Sequence, residues 1–275
     1  MPDTGRERAS VTTKHEGEIL QRLQRQSDEL KLAGRRQRNA RRRKAEHIMG
    51  LLRPHAEPHD VRKVLSIGSG FCFIEQKLKQ DFIPHAEILC TDIDRQRLHA
   101  FEHPELKKEA VSATELHVPE ETFDLVLAHQ VLEHINDYPI ALDKIASACR
   151  PGGLIYINVP NPLSPSLGKR PDGAWPRPFL SALVRHNAIK FNKDFMTNTE
   201  KYHTGFTWRR LHRHLSDFEI IDVRKDRVRQ EVDGPLAGPL IDLFPSCLLF
   251  LFVESNIWIC RRKPDASQSA EGVNA

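Results

Sequence analysis

The sequence predicts an α/β doubly wound fold, a mostly parallel sheet with helices on both faces, and three observations point to it. Short β-rich runs alternate with segments of helical spacing from Val61 to Val159. The first run, VRKVLSI, ends in the glycine turn Gly68-Ser69-Gly70, and the fifth, GLIYINV, begins where Pro151-Gly152-Gly153 stops a helical segment. Strands that alternate with helices make βαβ units, and their ligands bind beyond the carboxyl ends of the strands, where the strand order reverses.

Residues 1 to about 15 are polar and aperiodic and are expected to be disordered. From Glu16 to Leu52, Ile19, Leu23, Leu30, Ile48, Leu51 and Leu52 give a loose helical spacing, broken at Gly34 and closed by Pro54. This predicts a helical lead-in outside the core, so that residues 1–52 precede a domain at 53–263. Within that domain Val61–Ile67 is the first strand, FIEQKLKQ a helix, Ala86–Asp94 the second strand and RQRLHAF a helix. A weaker third strand lies near Glu109–Val111, Phe123–Ala128 is the fourth, and Asp137–Arg150 is helical before the fifth. The Pro- and Gly-rich text that follows predicts an insertion near 160–204, long enough to be a lid or binding loop. A helix is expected from Thr207, a sixth strand over Phe218–Asp226, a second insertion near 232–250, and a final strand over Val253–Lys263. Residues 264–275 form a polar tail expected to be disordered.

Composition narrows the class. The chain has 275 residues and 39% hydrophobic content, enough for one catalytic-sized domain. Its five cysteines lie far apart, without the paired spacing of a zinc site or a disulfide framework, and read as buried thiols of a cytoplasmic protein. The start lacks the apolar core of a signal peptide. The apolar run Cys247–Val253 is far shorter than the roughly 20 residues that cross a bilayer, and predicts a buried strand. Net charge is +4, yet removing the seven basic residues of Arg35–Lys44 (RRQRNARRRK) turns it to −3. With no aromatic residues between the arginines, this run reads as a solvated helix face rather than a nucleic-acid platform. Set off by Gly34 and Pro54, it is expected to be dispensable for ligand binding.

Gly68 and Gly70 permit backbone angles and a close ligand approach that side chains would block, and helix amides follow them. Asp92 stands 24 residues after Gly68 at the end of the second strand, where a carboxylate can accept both ribose hydroxyl protons. This pair suits NAD and S-adenosylmethionine alike.

The stretch FDLVLAHQVLEHINDYPIALDKIASACRPGGLIYINVPN, Phe123 to Asn161, separates the two. With the glycine turn and CTDID it resembles the class I S-adenosylmethionine-dependent methyltransferases, in the subgroup that includes the ubiquinone-biosynthesis methyltransferases. The resemblance covers about residues 61–161. It implies a Rossmann-like, seven-stranded, mostly parallel sheet with an antiparallel last strand, and S-adenosyl-L-methionine as cofactor. By position, Gly68, Ser69 and Gly70 would line its methionine part, Asp92 would hold the ribose and Ile93 would pack on adenine. Ser112 and Ala113 would face the adenine amine, and His129 and Gln130 the sulfonium. Two positions depart from the family pattern. Ser66 replaces an acid that helps hold the cofactor's ammonium, with Glu75 a substitute one turn into the helix. Cys72 replaces a glycine, on the expectation that the helix begins there without a positive φ.

Methyl transfer is an in-line displacement, so a protein mainly positions the reactants, and a hydroxyl acceptor also benefits from a base. His134 of VLEH is the first candidate base and His203 of KYHTGFT the second. Tyr202, Trp175 and Trp208 are candidates to line the acceptor pocket, and Asn161 to bond the acceptor. The Asn/Asp-Pro-Pro-aromatic motif of base-nitrogen methyltransferases is absent, its place being His129-Gln130-Val131-Leu132. The resemblance therefore implies methylation of a small molecule or glycan, at oxygen, with no metal and no transmembrane segment. The alternatives are a non-catalytic methyltransferase-like binding protein and an RNA methyltransferase using the basic segment.

Overall fold

A computed structural model describes residues 4–160, 188–190, 202–204, 211, 214–231, 241–242 and 255–264. Its centre is a seven-stranded sheet of order β3-β2-β1-β4-β5-β9-β8. The strands are β1 (Lys63–Ile67), β2 (Glu87–Asp92), β3 (Lys107–Ala110), β4 (Phe123–His129), β5 (Cys149–Pro160), β8 (Phe218–Ile221) and β9 (Ser255–Arg262). The first five run parallel, and β9 is antiparallel to both β5 and β8. A separate hairpin pairs β6 (Ala188–Lys190) with β7 (Tyr202–Thr204). Strand order reverses between β1 and β4, which opens a crevice between the turns that follow them.

Alternation along the strands feeds two cores. Val64, Cys90, Leu125 and Tyr156 join α2 (Phe73–Asp81) on one face, while Leu65, Val126 and Ile155 join α4 (Tyr138–Ala148) on the other. The short α3 (Arg95–Leu98) follows β2, and α5 (Arg224–Glu231) follows β8. The sixth expected strand thus stops at Ile221, because the charged run after it forms a helix. The apolar run Cys247–Val253, most of both insertions and the tail from residue 265 lie outside the described residues.

The largest revision concerns the N-terminal segment. Helix α1 runs unbroken over Thr4–Leu52. Its last turns are core and not a lead-in, since Ala45, Ile48, Met49, Leu51 and Leu52 are buried with α2 and β1. Gly34 does not break the helix. A Cβ there would stand 2.4 Å from Phe101 Cε2 and 3.3 Å from Phe71 Cε1, so the missing side chain admits an aromatic edge. Phe71, Phe73 and Phe101 pack on one another, with the Arg38 guanidinium over Phe73 and Phe101. Position 34 thus answers to packing, which overrides its low helix propensity.

This seating reverses the sign of an ordinary helix substitution. By propensity alone Gly34→Ala would stabilise by about 1 kcal/mol. Overpacking against Phe101 should instead destabilise by about 1–3 kcal/mol, seen as a lower melting temperature. A raised melting temperature would mean that α1 does not rest on Phe101.

Candidate active site

The turn after β1 is held open by its neighbours. Ser69 N–H donates to Thr91 O at 3.0 Å. Gly68 has φ 69°, and a Cβ there would meet Val131 Cγ2 at 2.6 Å, so the turn abuts the β4 loop. Gly70 has φ 56°, but a Cβ on it would meet nothing within 4 Å. That open space is where a ligand can approach the backbone. Cys72 also has a positive φ, 58°, at the N-cap of α2, contrary to expectation. The chain turns left-handed there, and the cysteine carries a strain of about 1–3 kcal/mol that glycine would not.

Asp92 is fixed from two sides. Its Oδ2 accepts from Gly70 N–H at 2.7 Å and its Oδ1 from Asp94 N–H at 2.8 Å, which ties the glycine turn to the entry of α3. Each oxygen keeps a lone pair for a further donor. Ile93 beside it is 72% exposed, an apolar face open to a flat ligand. Val111 N–H donates to Asp92 O at 3.1 Å and brings the end of β3 alongside. There Ser112 Oγ pairs with Thr114 Oγ1 at 2.8 Å, and Ala113 is half-buried.

The serine at position 66 does not stand alone. Ser66 Oγ donates to Glu75 Oε1 at 2.5 Å, and both residues are only 3% exposed. Burial pushes the Glu75 carboxyl above the usual range, opposed by the Ser66 hydrogen bond and by the Arg41 charge. Glu75 Oε2 has no protein partner. A carboxyl from the first turn of α2 thus stands against the serine of the strand.

Sequence reasoning missed the contribution of α1. Arg41 and Lys44 are half-buried, whereas Arg35, Arg36, Arg42 and Arg43 are exposed, so only part of the basic run is a solvated face. Lys44 Nζ donates to Gln130 Oε1 at 2.9 Å. Burial lowers the Arg41 pKa, and Glu75 and Glu133 counter it. Burial raises Glu133 to about 8, with Lys44 and Arg41 pulling it back. These cations therefore lie among the glycine turn, α2 and the β4 loop. The signal was legible: Arg41, Lys44, Ile48 and Leu52 recur on one helix face.

His129 and Gln130 follow β4 as expected. The His129 ring lies parallel to Tyr156 with centroids 6.2 Å apart, and both its nitrogens are buried without hydrogen bonds. Burial, then the charges of Lys44 and Arg41, hold it well below the usual histidine range, so it is a neutral imidazole at pH 7. Gln130 has φ 52° and donates its N–H to Asn158 O at 2.7 Å. His134 closes the 3₁₀ turn Leu132–His134, is 49% exposed in its side chain, and holds Nε2 3.9 Å from Glu133 Oε1. Strand β7, which carries Tyr202 and His203, packs against this turn. The two candidate bases thus stand on neighbouring elements. Asn161, Trp175 and Trp208 lie outside the described residues.

Comparison with known proteins agrees with this fold. Residues 65–155 match a family described as a methyltransferase domain. A ubiquinone biosynthesis O-methyltransferase of Chelativorans sp. is 31% identical over 117 residues, 41% of this chain and 46% of that protein. One from Mesorhizobium japonicum is 30% identical over 117 residues, covering 41% and 47%. The match thus spans less than half the length of either relative. An S-adenosylmethionine-dependent methyltransferase structure from Mesorhizobium loti superposes with a TM-score of 0.52 at 19% identity, covering 77% of this chain and 95% of that one. The YcgJ protein of Bacillus subtilis gives 0.51 at 15% identity, covering 80% and 100%. At these identities the structural likeness establishes the fold.

The buried Glu133 makes stability depend on pH. With its folded pKa raised to about 8, the native state holds a proton that the unfolded chain has released from about pH 5 upward. That stabilisation is complete in acid and is lost as pH rises through 8, at up to about 1.4 kcal/mol per pH unit. Glu133→Gln should flatten this dependence, so that thermal melts at pH 5.5 and 8.5 differ less for the variant than for the wild type. Equal differences would mean that Glu133 is ionised throughout.

Proposed function

The chain belongs by fold and by its methyltransferase domain to the class I S-adenosylmethionine-dependent methyltransferases, and from that premise we propose that it methylates a hydroxyl on a small molecule or glycan. The observation that carries the cofactor reading is the cradle at the β1/β4 reversal, where Gly70 faces open space and its N–H is held by Asp92.

The residues present fit S-adenosylmethionine. Asp92 has lone pairs for the ribose hydroxyls, Ile93 offers an apolar face to adenine, and Ser112 and Ala113 border it. The Ser66–Glu75 pair stands behind the glycine turn in place of the usual acid, and Arg41 is the cation for the carboxylate. The neutral His129 adds no positive charge where the sulfonium would lie.

The cofactor supplies a methyl group already activated by positive sulfur. The chain's own work is to align the acceptor, exclude water and remove one proton. His134 is the group for that proton, because it stands half-exposed on the turn that follows β4, beside strand β7. His203 on β7 is the alternative base. Oxygen as the acceptor atom draws its support from the O-methyltransferase relatives, and nothing in the 129–132 turn supplies the carboxamide-proline arrangement of base-nitrogen chemistry.

S-adenosylmethionine and S-adenosylhomocysteine should each raise the melting temperature, by an amount equivalent to about 2.7 kcal/mol at a hundredfold excess over Kd, while NAD leaves it unchanged. Asp92→Ala should weaken calorimetric binding of S-adenosylhomocysteine by about 1.5–3 kcal/mol, and a shift with NAD alone would overturn the cofactor reading. Tritiated-methyl transfer into fractionated cell extract should label a small-molecule or glycan fraction. With that acceptor, His134→Ala should lower turnover by about 10²–10⁴ with cofactor affinity unchanged. Normal turnover in both His134→Ala and His203→Ala across pH 6–9 would remove the histidine base.

A further inference from the structure

Cys72 and Cys90 are 18 residues apart, a spacing that suggests no metal site, yet the fold brings them together. Cys72 is the N-cap of α2, and Cys90 sits on β2 as the register partner of Ser66 on β1. Glu75, hydrogen-bonded to Ser66, completes the group. One donor atom from each of Cys72, Cys90 and Glu75 lies within 4.8 Å of the other two, and all three side chains are buried.

We propose that Cys72, Cys90 and Glu75 form a binding site for one thiophilic divalent cation, with zinc as the best fit. One observation beside the cluster supports a ligand here. Glu75 Oε2 is buried and lacks a partner, while Oε1 is occupied by Ser66, so one carboxylate oxygen of this cluster is unsatisfied. A buried carboxylate oxygen without a donor is costly unless a cation or donor meets it. Cys72 also occupies a left-handed backbone position, φ 58°, where glycine is the unstrained choice.

The donor set defines the ligand class. Two sulfurs and one carboxylate match zinc chemistry, with sulfur at about 2.3 Å, oxygen at about 2.1 Å and one position left for water. Such bond lengths put donors roughly 3.5 Å apart, within reach of side-chain rotation from a separation below 4.8 Å. Calcium and magnesium are disfavoured because they take oxygen donors. Binding displaces one proton from each thiol and leaves a net charge of −1 on the three ligands plus cation. The Arg41 charge already acts on Glu75 and would offset it.

The test uses the full-length protein, stripped with a chelator and kept reduced with a phosphine. Titration with cobalt(II) should produce the near-ultraviolet thiolate-to-cobalt absorption, saturating at one equivalent and abolished by zinc. Cys72→Gly keeps the left-handed turn and should fold normally by circular dichroism, yet lose cobalt affinity by more than about 100-fold. Cys90→Ser should lose it similarly. Absence of the thiolate band in the wild type would overturn the proposal. So would a band of equal strength in folded Cys72→Gly and Cys90→Ser proteins, since the metal would then sit on other cysteines.

Discussion

Two carboxyl groups, those of Glu75 and Glu133, are buried on opposite turns of the crevice, and α1 places cations beside them. Burial raises the pKa of both, and the neighbouring cations limit the shift. Arg41 lies near both and Lys44 donates to Gln130, so the glycine turn after β1 and the loop after β4 border the same helix face. The arrangement works only because α1 is pinned at both ends of this stretch. Gly34 admits the edge of Phe101 on one side, and Ile48, Leu51 and Leu52 enter the core on the other. Packing sets the helix, and the helix sets the charges.

The altered glycine turn makes sense in this frame. The serine on β1 carries no charge, but its hydroxyl orients a carboxyl carried by α2. The left-handed residue after the turn is kept, as a cysteine. The two changes lie against each other, which is why one cluster of Ser66, Cys72, Glu75 and Cys90 accounts for both.

The alternation of β-rich and helical runs made the parallel sheet legible, and Asp92, Gly68 and Gly70 stand where spacing put them. Glu75 was legible as a neighbour of the turn because it lies one turn into a helix whose start was evident. What escaped was long-range. Gly34 looks like a break because propensity is local, and only the approach of Phe101 from β2's far side of the sequence shows why glycine is there. Cys72 was expected to enter a helix with ordinary angles, since a φ value is set by the turn and not by the residue name. The run of seven basic residues looked uniform, yet helical rotation sends Arg41 inward and Arg42 outward.

That one-residue difference gives the most direct test of the central claim, that α1 forms a wall of the cofactor crevice. Arg41→Ala and Arg42→Ala remove the same charge from adjacent positions, and titration calorimetry with S-adenosylhomocysteine compares them at fixed ionic strength. The account predicts that Arg41→Ala weakens binding by about 10-fold or more while Arg42→Ala leaves it within about twofold. Equal affinities in the two folded variants, whether both unchanged or both reduced, would contradict it.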